Sequence, residues 1–439
     1  MKTTLQHIVA QYGMVLALLL LCAVFSIATY GEQSPTGETA AGQLSASIPA
    51  QFGPTPRVFI AVRNWPDETA FAVALTSNLR ASGAKVLAVA EGEPQDARRA
   101  LEKLAGSGEK LDVVVGTQVT GAWLVFSDLK SDFPTLGEPR VAVPQNYRWP
   151  SFLKADNLLN IANQIAVIAI VAIGMTMVIV TGGIDLSVGS LIALSAVLAA
   201  KLIRDVGGAE QASMPAMVVA CLAAIAACGV FGAFSGAMIT RFQIPPFIIT
   251  LAMMLVGSGL AYLLSQGQSI YQIPDSFIWL GRGSSLFGLP NAVVLMVILY
   301  LLAHVLMSRM RLGRYLYSVG GNREAARLSG VPVTRVVVFA YVASAMLAGL
   351  GGIIMASQLK SGSPTYGNMY ELYVIAAVVV GGTALSGGEG NMFGTLTGAF
   401  TIAVIQNGMN LTNVESYTQK VVLGLVILGA VLIDKTRSR

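Results

Sequence analysis

Ten stretches of this chain are apolar for long enough to cross a bilayer, at about 11–29, 159–181, 186–203, 214–239, 246–265, 291–308, 336–357, 370–384, 394–411 and 420–434. A hydrocarbon core of about 30 Å takes about 20 such residues per helix. Lipid offers no hydrogen bonds to exposed backbone, so runs of this kind predict an all-α polytopic membrane bundle of about ten transmembrane helices. Composition agrees, since 54% of residues are hydrophobic and only 12% charged, about half the charged share of a soluble domain. The third and eighth stretches are the weakest. Ser187, Gly189, Ser190 and Ser195 interrupt the third, and Gly381-Gly382 end the eighth. Small residues let helices approach closely, which places these two inside the bundle rather than against lipid.

Basic flanks set the orientation. With the N-terminus inside, cytoplasmic flanks hold Lys2, Arg241, Arg309, Arg311, Arg314, Arg323, Arg327, Arg335, Lys435, Arg437 and Arg439. Short external loops hold Lys201, Arg204, Arg282, Lys360 and Lys420. Eleven against five predicts both termini in the cytoplasm of a plasma (inner) membrane. The net charge of +5 is therefore a feature of the loops and not a nucleic-acid footprint. All four tryptophans, Trp65, Trp123, Trp149 and Trp279, then fall outside. The first stretch reads as residues 1–30, a transmembrane helix or signal anchor; Lys2, the apolar run and Ala28 also fit a cleaved signal peptide.

Between the first two apolar stretches the chain changes character. Residues 31–56 are rich in Gly, Ser, Thr, Ala and Pro and read as a linker. Residues 57–148 hold eleven basic and eleven acidic side chains. Short β-branched runs at 57–64 (RVFIAVRN), 85–90 (KVLAVA) and 111–116 (LDVVVG) alternate with helical patterns at about 67–82 and 94–107, and 140–143 (RVAV) adds a fourth strand. The alternation predicts a small inserted extracytoplasmic α/β domain over 57–145. It has no G-x-G-x-x-G, no Walker A sequence and no histidine. A docking or structural module and a solute-binding module, at the carboxyl edge of a parallel sheet, both remain open.

Chemistry-bearing residues are few. Cys22, Cys221 and Cys228 sit in apolar runs, and the two histidines, His7 and His304, are too few for a His-ligated centre. No metal site, cofactor or catalytic set is expected. The segment 180–190 (VTGGIDLSVGS) is the most informative. Gly182 and Gly183 permit a broken or re-entrant backbone, tolerated only inside protein or along a cavity. Asp185 is a lone carboxylate at membrane depth, so it faces the interior or a water-filled path, or it caps the first turn of the third stretch. The region 308–335 is the longest cytoplasmic segment. Its centre, 322–328 (NREAARL), is a short helix-former preceded by Gly320-Gly321 and stopped by Gly330 and Pro332. A rigid helix there is shaped to dock in a motor protein, and an ordinary solvated loop is the alternative. The stretch 378–394 (VVVGGTALSGGEGNMFG) lacks the phosphate-loop pattern and carries Glu389, so it reads as a tight turn. Gln406, Asn407 and Asn410 either bond neighbouring helices or line a polar path.

Five blocks in order, VTGGIDLSVGS, IPPFIITL at 244–251, GRYLYSVGGNREAARLSG at 313–330, GGTALSGGEG at 381–390 and QNGMNL at 406–411, resemble the permease subunits of the ribose, xylose and galactose ABC importers. The resemblance covers about 155–435 and implies a sugar-like solute, a cytoplasmic ABC ATPase, a second permease copy or paralogue and an extracytoplasmic solute-binding protein. It also implies that Gly313, Arg314, Gly320, Gly321, Asn322, Glu324, Ala325, Ala326, Leu328 and Gly330 belong to the element that couples to the ATPase. Gly182, Gly183, Asp185 and Ser187 match the family's TGGIDLS signature and carry over as pathway residues. The insert after the first span departs from the family's short loop there.

An ion-coupled secondary transporter would need a coupling-ion site, for which Asp185, Glu371 and Glu415 are the only acidic candidates. A membrane sensor using the insert as receptor would need a cytoplasmic output domain, and the longest inside segment is about 28 residues. An enzyme would need a nucleophile–base pair or metal ligands.

Overall fold

Residues 13–28, without one charged side chain, lie in helix α1 (Lys2–Ala28). The structure, a computed structural model, describes residues 2–437. Lys2, Lys435, Arg437 and Arg439 of the flanking charges lie outside the described side chains. The chain divides into two units, residues 30–151 and the remainder.

In the 30–151 unit, strand β1 (Tyr30–Gln33) opens the segment, and helix α2 (Gly37–Phe52) follows. This corrects the linker reading of 31–56. Ala40, Ala41, Leu44 and Ile48 are buried on one helical stripe, a period that the small Ala, Gly and Ser residues around them mask. Strand β2 (Arg57–Val62), helix α3 (Pro66–Ala81), strand β3 (Lys85–Glu91), helix α4 (Pro94–Gly106), strand β4 (Val113–Gly116), helix α5 (Leu129–Asp132) and strand β5 (Arg140–Ala142) come next. The four strands β2 to β5 form a parallel sheet in the order β3-β2-β4-β5. Alternate β2 residues feed two cores. Val58, Ile60 and Val62 pack with α2 and α3, and Phe59 and Ala61 pack with α4 and α5. Helices thus cover both faces, and the strands read as continuous apolar runs for that reason. Strand β6 (Tyr147–Pro150) pairs antiparallel with β1 and closes the unit. Arg57 grips Asp112 at the foot of β2, with Nε 3.0 Å from Oδ2 and a terminal nitrogen 2.6 Å from Oδ1. The guanidinium holds that carboxyl below the usual range.

The other unit is helical. Helices α6 (Ala155–Val180), α7 (Val188–Asp205), α8 (Met214–Arg241) and α9 (Pro246–Ser265) are followed by the short α10 (Trp279–Arg282) and by α11 (Asn291–Arg309). Then come α12 (Arg311–Gly321), α13 (Arg323–Leu328), α14 (Val333–Leu359), α15 (Tyr370–Val380), α16 (Met392–Leu411) and α17 (Ser416–Arg437). Among the described residues, α6, α8, α9, α11 and α14 are long and apolar enough to cross a membrane by themselves. Helix α6 is the hub, buried without a break from Ile165 to Val180. Helices α8 and α9 turn much of their apolar surface outward, including Val219, Leu222, Val230, Leu255 and Leu263. Helix α15, with 11 residues, rises only about 16 Å. The eighth apolar stretch therefore ends as helix at Val380, because Gly381 and Gly382 begin a turn there and Gly382 adopts a positive φ.

A site where three glycine turns meet

The turn after α6 does not simply connect two helices. Gly182 takes a left-handed conformation, φ 79°, and its N–H donates to Ile179 at 2.8 Å. Gly183 then donates to Val178 at 3.1 Å, so the chain folds back along the helix it has just left. Thr250 of α9 donates its hydroxyl to the Ile184 carbonyl at 3.2 Å. Asp185 is fully buried. Its Oδ1 accepts from the Ser187 amide at 3.0 Å and the Ser187 hydroxyl at 2.6 Å, and its Oδ2 accepts from the Ser344 hydroxyl of α14 at 2.9 Å.

Depth follows from the same contacts. A Cβ on Gly174 would lie 2.5 Å from the Ser344 Cα, so Ser344 is level with Gly174. That residue is six positions from the end of α6 at Val180, a rise of about 9 Å. The loop re-enters the bundle to this level before α7 begins. Ser187 occupies the formal cap position of α7 with no side-chain cap bond of its own; Asp185, two residues earlier, accepts from the Ser187 amide and also ties the loop to α14. Tyr341, one turn from Ser344, abuts Gly183, and its buried hydroxyl has no protein partner among the described residues.

Three glycine pairs far apart in sequence converge beneath this turn. A Cβ at Gly320 of α12 would collide with the Val180 carbonyl oxygen and lie 2.5 Å from the Gly388 amide. The Gly388 amide already donates to Val180 at 2.9 Å. A Cβ at Gly387 would lie 2.9 Å from the Gly182 amide and 3.1 Å from the Gly320 carbonyl oxygen. Tyr317 of α12 adds a hydroxyl bond to the Gly390 carbonyl at 2.7 Å. Bare backbone thus touches bare backbone at three points, which only glycine allows. Within segment 378–394 the residues between α15 and α16 form a turn whose Gly388 amide is committed to Val180.

Segment 308–335 holds more structure than its sequence signals. The sequence predicts one short helix in a loop, but α12 fills the region before Asn322. Its apolar positions Gly313, Leu316 and Val319 are buried, and Arg311, Arg314 and Ser318 are exposed. The two tyrosines and three glycines of RLGRYLYSVGG obscure that stripe. Gly320 and Gly321 are thus the end of α12 and not merely a break before the next helix. Gly313 sits at the corner with α11, where a Cβ would lie 2.5 Å from the Leu306 carbonyl oxygen. Asn322 caps α13, its Oδ1 accepting from the Glu324 and Ala325 amides at 3.1 and 2.9 Å. Ala326 is buried, while Glu324, Ala325 and Leu328 are exposed, Leu328 to 78%. Gly330 ends the segment with φ 83°. Arg327 pairs with Glu324 at 2.5 Å and holds its carboxyl below the ordinary value. A groove of about 630 Å³ separates this helix from the α8–α9 connection, lined by Gln243, Pro245, Pro246, Arg323, Glu324 and Arg327.

The α16 amides face other neighbours. Asn407 and Asn157 of α6 exchange two bonds of 2.9 and 3.1 Å. Asn410 accepts from Gln419 of α17 at 2.8 Å. Gln406 lines a cavity of about 220 Å³ with Gln164, Gln358 and Tyr370. Among the described residues, no cluster of His, Cys, Asp and Glu could hold a metal ion. Sequence reasoning misses Ser344 and Tyr341, which share one face of α14 at i, i+3 spacing but carry no signal of their distant partner.

Residues 157–431 match the family model described as branched-chain amino acid transport system / permease component. The chain belongs to this permease family. It is 43% identical over 292 residues to the ribose import permease protein RbsC of Escherichia coli K12, covering 66% of this chain and 88% of that one. The ribose import permease protein of Bacillus subtilis 168 is 44% identical over 291 residues, with the same shares. The D-allose transport system permease protein AlsC of Escherichia coli K12 is 33% identical over 288 residues, 66% of this chain and 86% of that one. No solved structure matches. The glycine turns, the Asp185 loop and α12–α13 all lie within the matched segment, and the 30–151 unit lies before it.

Proposed function

We propose that this permease is the membrane-spanning subunit of an ATP-binding-cassette importer that moves a sugar or similar neutral polar solute into the cytoplasm. The observation that carries the reading is the 43% identity to a ribose import permease along 88% of its length. ATP is hydrolysed on a separate cytoplasmic subunit, the permease works beside a second copy or paralogue, and an extracytoplasmic binding protein delivers solute. The chain is not itself an enzyme. In this reading ten apolar segments, on α1, α6 to α9, α11 and α14 to α17, build the bundle in the inner membrane, the short α15 completing its passage through the turn that follows it. Both termini and α12–α13 are cytoplasmic, and residues 30–151 are extracytoplasmic, where they modulate delivery of solute.

The glycine contacts supply a mechanism. The exposed α13, with Glu324, Ala325 and Leu328, is the docking surface. Helix α12 carries its motion to Gly320, which presses on Val180 and Gly388. From there, motion passes to Gly182, Gly183 and the Asp185–Ser187 loop, which Ser344 anchors to α14 by a hydrogen bond. Interiors are close-packed, so a shift at one end cannot be absorbed silently. Gln406, Asn407 and Asn410 complete the pathway set, Gln406 facing its cavity and the two asparagines fixing α16.

Uptake of labelled ribose and allose, with and without the partner ATPase, tests the reading. Uptake is expected only with the ATPase. Glu324→Arg is expected to abolish it with unchanged membrane abundance, because it reverses charge on an exposed docking face. Asn322→Ala removes the α13 cap, worth about 1 kcal/mol, and is expected to lower uptake several-fold. Normal uptake in both variants would sink the assignment of α13 as the coupling helix.

A further inference from the structure

A second polar feature lies one helical turn beyond the Asp185 loop. A cavity of about 270 Å³ opens between the first two turns of α7, the middle of α9 and the segment 364–371. That is room for several waters, the scale of a small polyhydroxylated molecule. Its polar lining includes Ser190, Ser258, Tyr262, Tyr366, Asn368 and Glu371. Such a lining is unexpected among helices as apolar as α9 and α15, whose other residues along the cavity are Met254 and Leu255.

The cavity is built, not left over from loose packing. Gly189 and Gly367 bring two backbones together. A Cβ on Gly189 would lie 2.6 Å from the Gly367 carbonyl oxygen and would collide with the Glu371 carboxyl. That contact sets Glu371, on the first turn of α15, against the start of α7. Glu371 is half-buried and in no salt bridge among the described residues. A carboxyl group placed in the bundle without a cation is costly and points to a polar guest or a wet path. A hydrogen-bond chain joins the cavity to the signature loop. Ser190 donates to the Ser187 carbonyl at 2.8 Å, and Ser187 donates to Asp185.

From this arrangement we propose that the cavity is the site where the solute rests inside the membrane, a neutral polyhydroxylated molecule held by Glu371 and Asn368 with Ser190 and Ser258. Carboxyl, amide and hydroxyl groups all accept or donate to sugar hydroxyls, and none requires a charge on the guest. Tyr262 and Tyr366 give ring faces for its apolar C–H surface. The proposal rests on the importer reading for the identity of the solute, while water access to the cavity does not.

Two measurements on the full chain with its ATPase in membrane vesicles test it. A hydrophilic, charged thiol reagent is applied to Ser258→Cys, with the wild-type chain and its native cysteines as background. Modification is expected to block uptake of labelled ribose, and excess unlabelled ribose is expected to slow modification several-fold. Glu371→Gln is expected to lower ribose uptake about tenfold, the worth of one good hydrogen bond, with membrane abundance unchanged. Failure of the reagent to label the Ser258→Cys variant above the wild-type background, with or without ATP, would overturn the proposal, as would uptake by Glu371→Gln within twofold of wild type. Failure of the importer reading registers separately, as no sugar uptake by the wild-type chain.

Discussion

Gly320→Ala is expected to cripple this permease, whereas Gly321→Ala, one residue on, is expected to leave it intact. An added Cβ at Gly320 collides with the Val180 carbonyl oxygen and lies 2.5 Å from the Gly388 amide, both backbone atoms that cannot rotate away. At Gly321 nothing lies within 4 Å. Overpacking of this kind costs about 1–3 kcal/mol, and more where backbone must shift. The neighbouring substitution gains helix propensity of up to about 1 kcal/mol. Thermal unfolding of the purified protein in detergent reads the difference directly, as a lowered Tm for Gly320→Ala alone. Loss of sugar uptake should accompany it, since Gly320 is the point where α12 meets the α6–α7 turn. Equal Tm values for the two variants would mean that the three glycine turns do not touch as described.

The second large effect is expected at Asp185. Asp185→Leu removes the acceptor for the Ser187 amide, the Ser187 hydroxyl and the Ser344 hydroxyl at once. Each buried donor left unpaired costs about 1–3 kcal/mol, although hydroxyls can turn to other acceptors. A net loss of about 3 kcal/mol, with abolished uptake, is the expected result. Asp185→Asn keeps an oxygen for Ser187 and should retain most of the stability. The contact with α14 can be isolated by a double-mutant cycle of Asp185→Asn and Ser344→Ala, in which a coupling above about 0.5 kcal/mol marks a direct interaction. Additive effects would detach the signature loop from α14.

What the sequence could and could not convey follows from the range of each interaction. Apolar runs report local helix or strand, and RVFIAV coincides with strand β2 (Arg57–Val62) because both of its faces are covered. Helix α2 is illegible there because Ala, Gly and Ser carry a weak hydrophobic period, and only the buried stripe from Ala40 to Ile48 discloses it. Helix α12 is hidden for a similar reason, its glycines and tyrosines reading as loop. The glycine pairs at 182–183, 320–321 and 387–388 stand out singly as turn formers. Their meeting joins segments distant along the chain, which no local period records. Asp185 is visible as an anomaly of charge, yet its partner Ser344 lies 159 residues away. Glu371 stands out only as one of three acidic candidates, since its place against Gly189 depends on the fold of 360–369.

Transport by purified components in sealed proteoliposomes separates an ATP-driven importer from an ion-coupled carrier. The permease is reconstituted with its ATPase and binding protein, and accumulation of labelled ribose and allose is followed. ATP on the ATPase face should drive accumulation of at least one of these sugars against its gradient, with neither proton nor sodium gradient needed. Accumulation driven by an ion gradient with the permease alone, and unaffected by ATP, would contradict it.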